Sequence, residues 1–160
     1  MENKEIERKW RVKSLPENLE DYRAIRMEQA YLNVSPTVRI RRENSDFFLT
    51  YKGKGEGISH DEYNLPIDEK AFYHMLPKCD GRIIKKTRYV IPLEKGLKAE
   101  LDVFEEPFKP LVIVEVEFPS EEEAEAFEAP DWFGQDVSLD VRFKNAALAI
   151  SETFSPEDML

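Results

Sequence analysis

Eight segments of this chain alternate between charged and apolar residues with a period of two, and nothing else in the sequence constrains the fold as tightly. They cover residues 4–12, 25–34, 37–43, 46–53, 59–67, 83–93, 97–105 and 111–118. Successive side chains of a strand point to opposite faces, so this pattern marks strands buried on one side. The connections are mostly short and carry Ser-Pro, Gly-rich or Glu-Lys-Gly sequences, which favours antiparallel neighbours. Helices are expected at Leu15 to Tyr22, with Ser14 as N-cap, and at Asp68 to Leu76. Two more are expected at Ser120 to Phe127, opened by a capping box ending at Glu123, and from about Arg142 to Thr153. No repeat or linker divides the chain, so one domain over residues 1–160 is expected, frayed at about 154–160.

The charged faces are sorted by sign. In the first strand Glu5, Glu7 and Lys9 share a face opposite Ile6, Arg8 and Trp10. Arg39 and Arg41 lie opposite Val38 and Ile40, and Lys52 lies opposite Leu49 and Tyr51. Glu62 and Asn64 alternate with Tyr63 and Leu65, and Lys86 and Arg88 with Thr87 and Tyr89. Glu100 and Asp102 oppose Leu101 and Val103, while Glu115 and Glu117 oppose Val114, Val116 and Phe118. An antiparallel sheet wet on one side explains any one of these strands. The segregation of basic strands from acidic ones points further. Closed into an eight-stranded barrel, the same strands enclose a charged lumen and turn their apolar faces outward, to be covered by helices or a second copy.

Such a lumen suits a metal-bound polyphosphate. Arginine and lysine hold phosphate oxygens. Carboxylates hold Mg2+ or Mn2+, which prefer oxygen ligands. Burying so many like charges without a ligand of this kind is costly. A formal net charge of -10 argues against a nucleic-acid binder without excluding a local basic cluster. One cysteine, Cys79, excludes a disulfide framework and a CxxC metal site. No run approaches the ~20 apolar residues of a membrane span, and the N-terminus is charged from Glu2 onward, so a soluble cytoplasmic protein is expected. The apolar outer faces are compatible with a homodimer.

These residues together resemble the CYTH-domain proteins of the triphosphate tunnel metalloenzyme superfamily. The resemblance runs from ExExK at Glu5, Glu7 and Lys9, through VRIR with Arg39 and Arg41, LTYKG with Lys52, and Glu62. It continues through KxR at Lys86 and Arg88, ELD with Glu100 and Asp102, and ExE at Glu115 and Glu117, to PDWFGQDVS and RFKN, spanning roughly residues 4 to 150. Asn64 stands where many members have a second acidic residue and Phe143 where many have tyrosine. The first departure leaves open whether that strand supplies a ligand beyond Glu62.

The resemblance implies a mainly β, α+β fold: an eight-stranded antiparallel closed barrel with a charged lumen and a few flanking helices. It implies metal-dependent hydrolysis of a triphosphate, with inorganic tripolyphosphate first. The alternatives are an adenylate cyclase, a thiamine or nucleoside triphosphatase, and a non-enzymatic polyphosphate sensor. Metal coordination would fall to Glu5, Glu7, Asp102, Glu115 and Glu117. Substrate would be held by Lys9, Arg39, Arg41, Lys52, Glu62, Lys86 and Arg88, and catalysis would rest on Glu5, Glu7, Lys9 and Lys86. Glu62 and Glu100 either orient basic neighbours or stay structural. His60, in a loop, and His74, in a helix, read as surface residues, Trp10 and Trp132 as packing outside the lumen, and GKGEG as a hairpin turn rather than a P-loop.

Overall fold

Each alternating segment forms a strand, and the strands close on themselves. The computed structural model describes residues 4–151, so the tail expected to fray at about 154–160 and the end of the expected last helix lie outside the described residues. The strands are β1 (Lys4–Val12), β2 (Arg23–Asn33), β3 (Thr37–Glu43), β4 (Asp46–Glu56), β5 (Ser59–Ile67), β6 (Asp80–Pro92), β7 (Lys98–Phe104), β8 (Val112–Glu117) and β9 (Phe133–Asp136). The helices are α1 (Glu69–Met75), α2 (Glu121–Ala126) and α3 (Asn145–Ile150). Hydrogen bonding runs in the order β5-β4-β3-β2-β6-β7-β8-β1, and β1 pairs with β5 to complete the ring. The result is a closed eight-stranded antiparallel barrel, as expected.

The ninth strand was not anticipated. β1 pairs with β8 along one edge through Glu7–Arg11. Its other edge is shared: Lys4 to Ile6 pair with β5, and Trp10 to Val12 pair with β9. β5 turns away too early to cover the second half of β1, and β9 fills the backbone groups left over. Four residues are too few to show a period.

Three further expectations shift. The GKGEG stretch is mostly strand, since β4 runs to Glu56 and the turn falls at Gly57 and Ile58. A change of register between Lys52 and Gly55 places Gly55 opposite His60, which therefore sits in a strand rather than a loop. A Cβ at Gly55 would lie 1.8 Å from the Ser59 carbonyl oxygen, so only glycine lets the two strands meet there. The expected helix at Leu15 to Tyr22 shrinks to a single turn at Leu19–Asp21, because Asn18 takes the left-handed conformation (φ 61°). The expected last helix breaks in two, with a tight turn at Val141–Phe143 separated from α3 by an extended Lys144. The caps on the other helices form as expected: Asp68 accepts from the Ala71 amide at 2.7 Å, and Ser120 from the Glu123 amide at 3.1 Å.

Packing sets the barrel's inside apart from its outside. Trp10, Leu101, Val114, Val116 and Phe118 face outward and are covered by Ala124 of α2, by Phe133 of β9 and by Trp132. Ala30, Ile40 and Phe47 are covered by Phe72 of α1. Phe72 is 0% exposed, and truncating such a ring costs about 3–5 kcal/mol. The outer face of β4 and β5 stays uncovered at Tyr51, Tyr63 and Leu65. The interior is not charged throughout. Tyr31, Ile84, Phe104 and Ile113 are inward neighbours of lumen residues, and they pack against Phe108, Phe143 and Leu148. One end of the barrel is thus an apolar plug carried by the C-terminal segment. No helix among the described residues is long and apolar enough to cross a membrane.

Candidate functional site

Glu5, Glu7, Lys9, Arg39, Arg41, Lys52, Glu62, Lys86, Arg88, Glu115 and Glu117 all line one cavity of about 900 Å3 inside the barrel. Register brings them together. Glu7 pairs across with Glu117, Lys9 with Glu115, Glu115 with Glu100, and Lys52 with Glu62. The acidic wall is therefore β1, β8 and β7, while β3, β4 and β6 supply most of the cations.

The carboxylates crowd one another. Burial, followed by the charges of Glu115 and Glu5, pushes the Glu7 carboxyl well above its ordinary range. Burial also raises Glu5, against the pull of Lys52, whose Nζ lies 2.5 Å from Glu5 and 3.5 Å from Glu7. Burial and the charges of Glu5, Glu100 and Glu62 raise Glu117 to about 7. Glu115 behaves oppositely: burial pushes it up, but Lys9, Arg88 and Lys86 together hold it well below the carboxylate range.

The arginines face the lumen with hydrogen-bonding capacity left over. The buried Nε of Arg39 has no partner among the described residues. That of Arg41 lies 3.1 Å from Glu43 but off the line of a hydrogen bond. Burial and the neighbouring Arg39 lower the Arg41 guanidinium to about 10. A buried donor without an acceptor is costly, and a phosphate oxygen is the acceptor that fits a guanidinium fork.

Asp102 is the one expected site residue that does not line the cavity. It is fully buried behind the cations. Its Oδ1 accepts from Arg88 Nε at 2.8 Å, and its Oδ2 accepts from Lys86 Nζ at 2.7 Å and Arg88 Nη2 at 3.0 Å. Glu100 adds a contact of 3.1 Å to Arg88, so it orients a basic neighbour. Asn64 holds Glu62 at 2.9 Å and accepts from Thr50 at 2.5 Å, so the amide steadies Glu62.

Several lumen residues escaped the sequence. On β2 the inward positions Met27, Gln29 and Tyr31 mix apolar and polar types, so alternation says nothing about them. Gln29 donates to the Tyr31 hydroxyl at 3.1 Å. His60, Ser138, Lys144 and Asn145 also line the cavity. The last three lie on a segment with no strand period. His74 is helical, and Trp10 and Trp132 pack outside the lumen.

Residues 3–143 match the CYTH domain family. This chain belongs to the CYTH family. Among curated relatives, an inorganic triphosphatase of Nitrosomonas europaea is 43% identical over 151 residues, covering 92% of this chain and 97% of the relative. An inorganic triphosphatase of Acetivibrio thermocellus is 34% identical over 151 residues, covering 91% and 92%. The crystal structure of the inorganic triphosphatase NE1496 superposes with a TM-score of 0.68 at 41% identity, over 92% of this chain and 95% of that one. A Hippeastrum protein described as a putative adenylyl cyclase with a dominant triphosphatase activity shares the fold at a TM-score of 0.58 and 18% identity, over 76% and 82% of the two chains.

CYTH membership implies a divalent metal, and the carboxylate wall fits one. Among the described residues no three His, Cys, Asp or Glu side chains converge on a single point. Glu5 and Glu115 are nonetheless close enough to Glu7 to raise its proton affinity. A small hard cation such as Mg2+ takes one or two carboxylates and completes its shell with water and substrate phosphates. Paired rather than converging carboxylates suit that mode.

Proposed function

We propose that this CYTH chain hydrolyses inorganic triphosphate with Mg2+ or Mn2+ inside the barrel. One observation carries the reading: a crowded carboxylate wall faces buried guanidiniums with spare donors across a single cavity. The 43% identity to an inorganic triphosphatase supports it.

Arg39 and Arg41 take phosphate oxygens through donors that lack a hydrogen-bond partner among the described residues. Arg88 and Lys86 present charge from a fixed base, because Asp102 holds both. Lys9 sits between the two walls, 3.8 Å from Glu115. The metal would be held by one or two carboxylates drawn from Glu5, Glu7, Glu115 and Glu117, with water and substrate phosphates completing its shell. When bound, the metal neutralises phosphate charge and lowers the proton affinity of a coordinated water. The protein's own work is placement. Phosphoryl transfer needs alignment and charge compensation more than covalent chemistry. Asp102 belongs to that placement, since Lys86 and Arg88 already engage both its oxygens. The acidic wall also separates this reading from a polyphosphate sensor, which needs only the basic residues.

The deciding experiment incubates the protein with tripolyphosphate, ATP and thiamine triphosphate, with and without Mg2+ or Mn2+, and measures phosphate and cyclic AMP. Phosphate released from tripolyphosphate only with metal is expected. Cyclic AMP as the main product, or binding without phosphate release from any of the three, overturns the reading.

A further inference from the structure

Two lysines on distant strands end at the same turn. Lys9 of β1 donates from Nζ to the carbonyl oxygen of Phe143 at 3.1 Å. Lys86 of β6 donates from Nζ to Oδ1 of Asn145 at 3.1 Å. Only Lys144 separates the two acceptors in the chain.

The turn is anchored independently of the lysines. The Phe143 amide donates to the Asp140 carbonyl at 3.1 Å, and the Lys144 amide to the Val141 carbonyl at 3.2 Å. The Phe143 ring is buried in the apolar plug beside Tyr31 and Phe104. Behind the turn, α3 is bound to β6 by Arg82, which donates to the carbonyls of Leu148 and Ser151. Gly81 (φ 70°) makes this docking possible, since a Cβ there would lie 2.2 Å from the Ala149 carbonyl oxygen. In front of the turn, the Val137 amide donates to the Lys9 carbonyl at 2.8 Å, and the Lys9 amide donates to Ser138 Oγ at 2.9 Å. The segment grips the backbone of Lys9 as well as its ammonium.

An ammonium has three donors. Lys86 directs one to Asp102 at 2.7 Å and one to Asn145 at 3.1 Å. With two directions held, the tetrahedral geometry fixes the third, and Lys86 lines the cavity. Asn145 is the first residue of α3, whose N-cap position is held by Lys144 without a side-chain cap. From there its amide oxygen accepts from the Lys86 ammonium.

We infer that the Phe143–Asn145 turn positions the two lysines of the site, and that Asn145 is the positioning residue for Lys86. The contact stands on geometry. Its catalytic consequence rests on the triphosphatase reading.

The test compares Asn145→Leu, which cannot accept a hydrogen bond, with Asn145→Asp, which can. Two readouts are taken: kcat and KM on tripolyphosphate with Mg2+, and the Lys86 Nζ signal in protein carrying 15N-lysine. Asn145→Leu should lower kcat about 10- to 100-fold with KM little changed, as expected for a displaced catalytic group. Asn145→Asp should retain most of kcat. The Lys86 ammonium protons should exchange faster in the leucine variant than in the native and aspartate forms. Native kcat in Asn145→Leu, equal loss in both variants, or a Lys86 signal indifferent to residue 145 each overturn the inference. Should native protein release no phosphate from tripolyphosphate while the Lys86 signal still follows residue 145, the triphosphatase reading falls and the positioning contact stands. Asn145→Ser, too short to reach the ammonium, replaces the leucine variant if that one does not fold.

Discussion

Lys86 Nζ lies 2.7 Å from Asp102 Oδ2, with the two side chains 2% and 1% exposed. A pair so deeply buried is far more costly to break than to keep, because the surviving charge has no water to turn to. Arg88 shares the same carboxylate, so Asp102 neutralises two cations at once. Burial lowers Lys86's affinity for its proton and raises Asp102's, and the pairing counters both.

Asp102→Ala should therefore destabilise the fold by about 3–5 kcal/mol, as for other broken buried pairs. Thermal unfolding measures it. Asp102→Asn should lower turnover by loosening Lys86 and Arg88 while leaving Mn2+ affinity unchanged in a metal titration. Lost Mn2+ affinity in the asparagine variant would return Asp102 to the metal set.

Glu117 gives the barrel a pH signature. Its carboxyl is raised to about 7 in the fold, against 4.5 for an ordinary glutamate. The fold therefore favours the protonated form. The resulting stability is fully present below about 4.5 and is lost as the pH rises through about 7. Without metal, the melting temperature should fall as pH rises across this window, and Glu117→Gln should reduce the dependence, with Glu5 and Glu7, also raised by burial, keeping the remainder. Metal affinity should run the other way, weakening below pH ~7 because a cation needs ionised carboxylates. Melting curves at several pH values with and without Mn2+ check both signs.

Arg39→Ala should lower kcat/KM on tripolyphosphate by about 10²–10³, the usual loss when one preorganised donor is removed. Arg39→Lys should recover little, because an ammonium cannot reproduce the guanidinium fork. Steady-state kinetics of the two variants side by side decide this, and full recovery by lysine would show that charge alone matters there.

Gly55→Ala tests the β4–β5 junction. The added Cβ meets the Ser59 carbonyl oxygen at 1.8 Å, so the strands must part. A cost of about 1–3 kcal/mol is expected, in line with overpacking elsewhere. Activity should fall too, since Lys52 and His60 flank the displaced register. Thermal unfolding and turnover measured on the same preparation would show whether the two losses travel together.

Much of the barrel was legible because face is a local property. Whether Arg39 or Val38 points inward depends only on parity along its own strand. The strands where parity coincides with polarity, such as β1, β3 and β8, announce themselves. β2 does not, since Ile25, Met27, Gln29 and Tyr31 share a face without sharing a character. The C-terminal stretch from Ser138 to Asn145 is silent for another reason: it enters the site from turns, which have no period to read.

The sequence by itself determined the number of barrel strands, their antiparallel sense and the residues that share the charged face. Tertiary structure alone decided who meets whom across the lumen. Partners such as Lys86 and Asp102, or Lys9 and Phe143, lie 16 and 134 residues apart. Their meeting depends on the stagger with which the ring closes and on where the last segment returns. That same stagger left half of one edge of β1 for β9 and set Asp102 behind the cations rather than in the cavity. Alternation assigns a side chain to a face; only closure assigns it a neighbour.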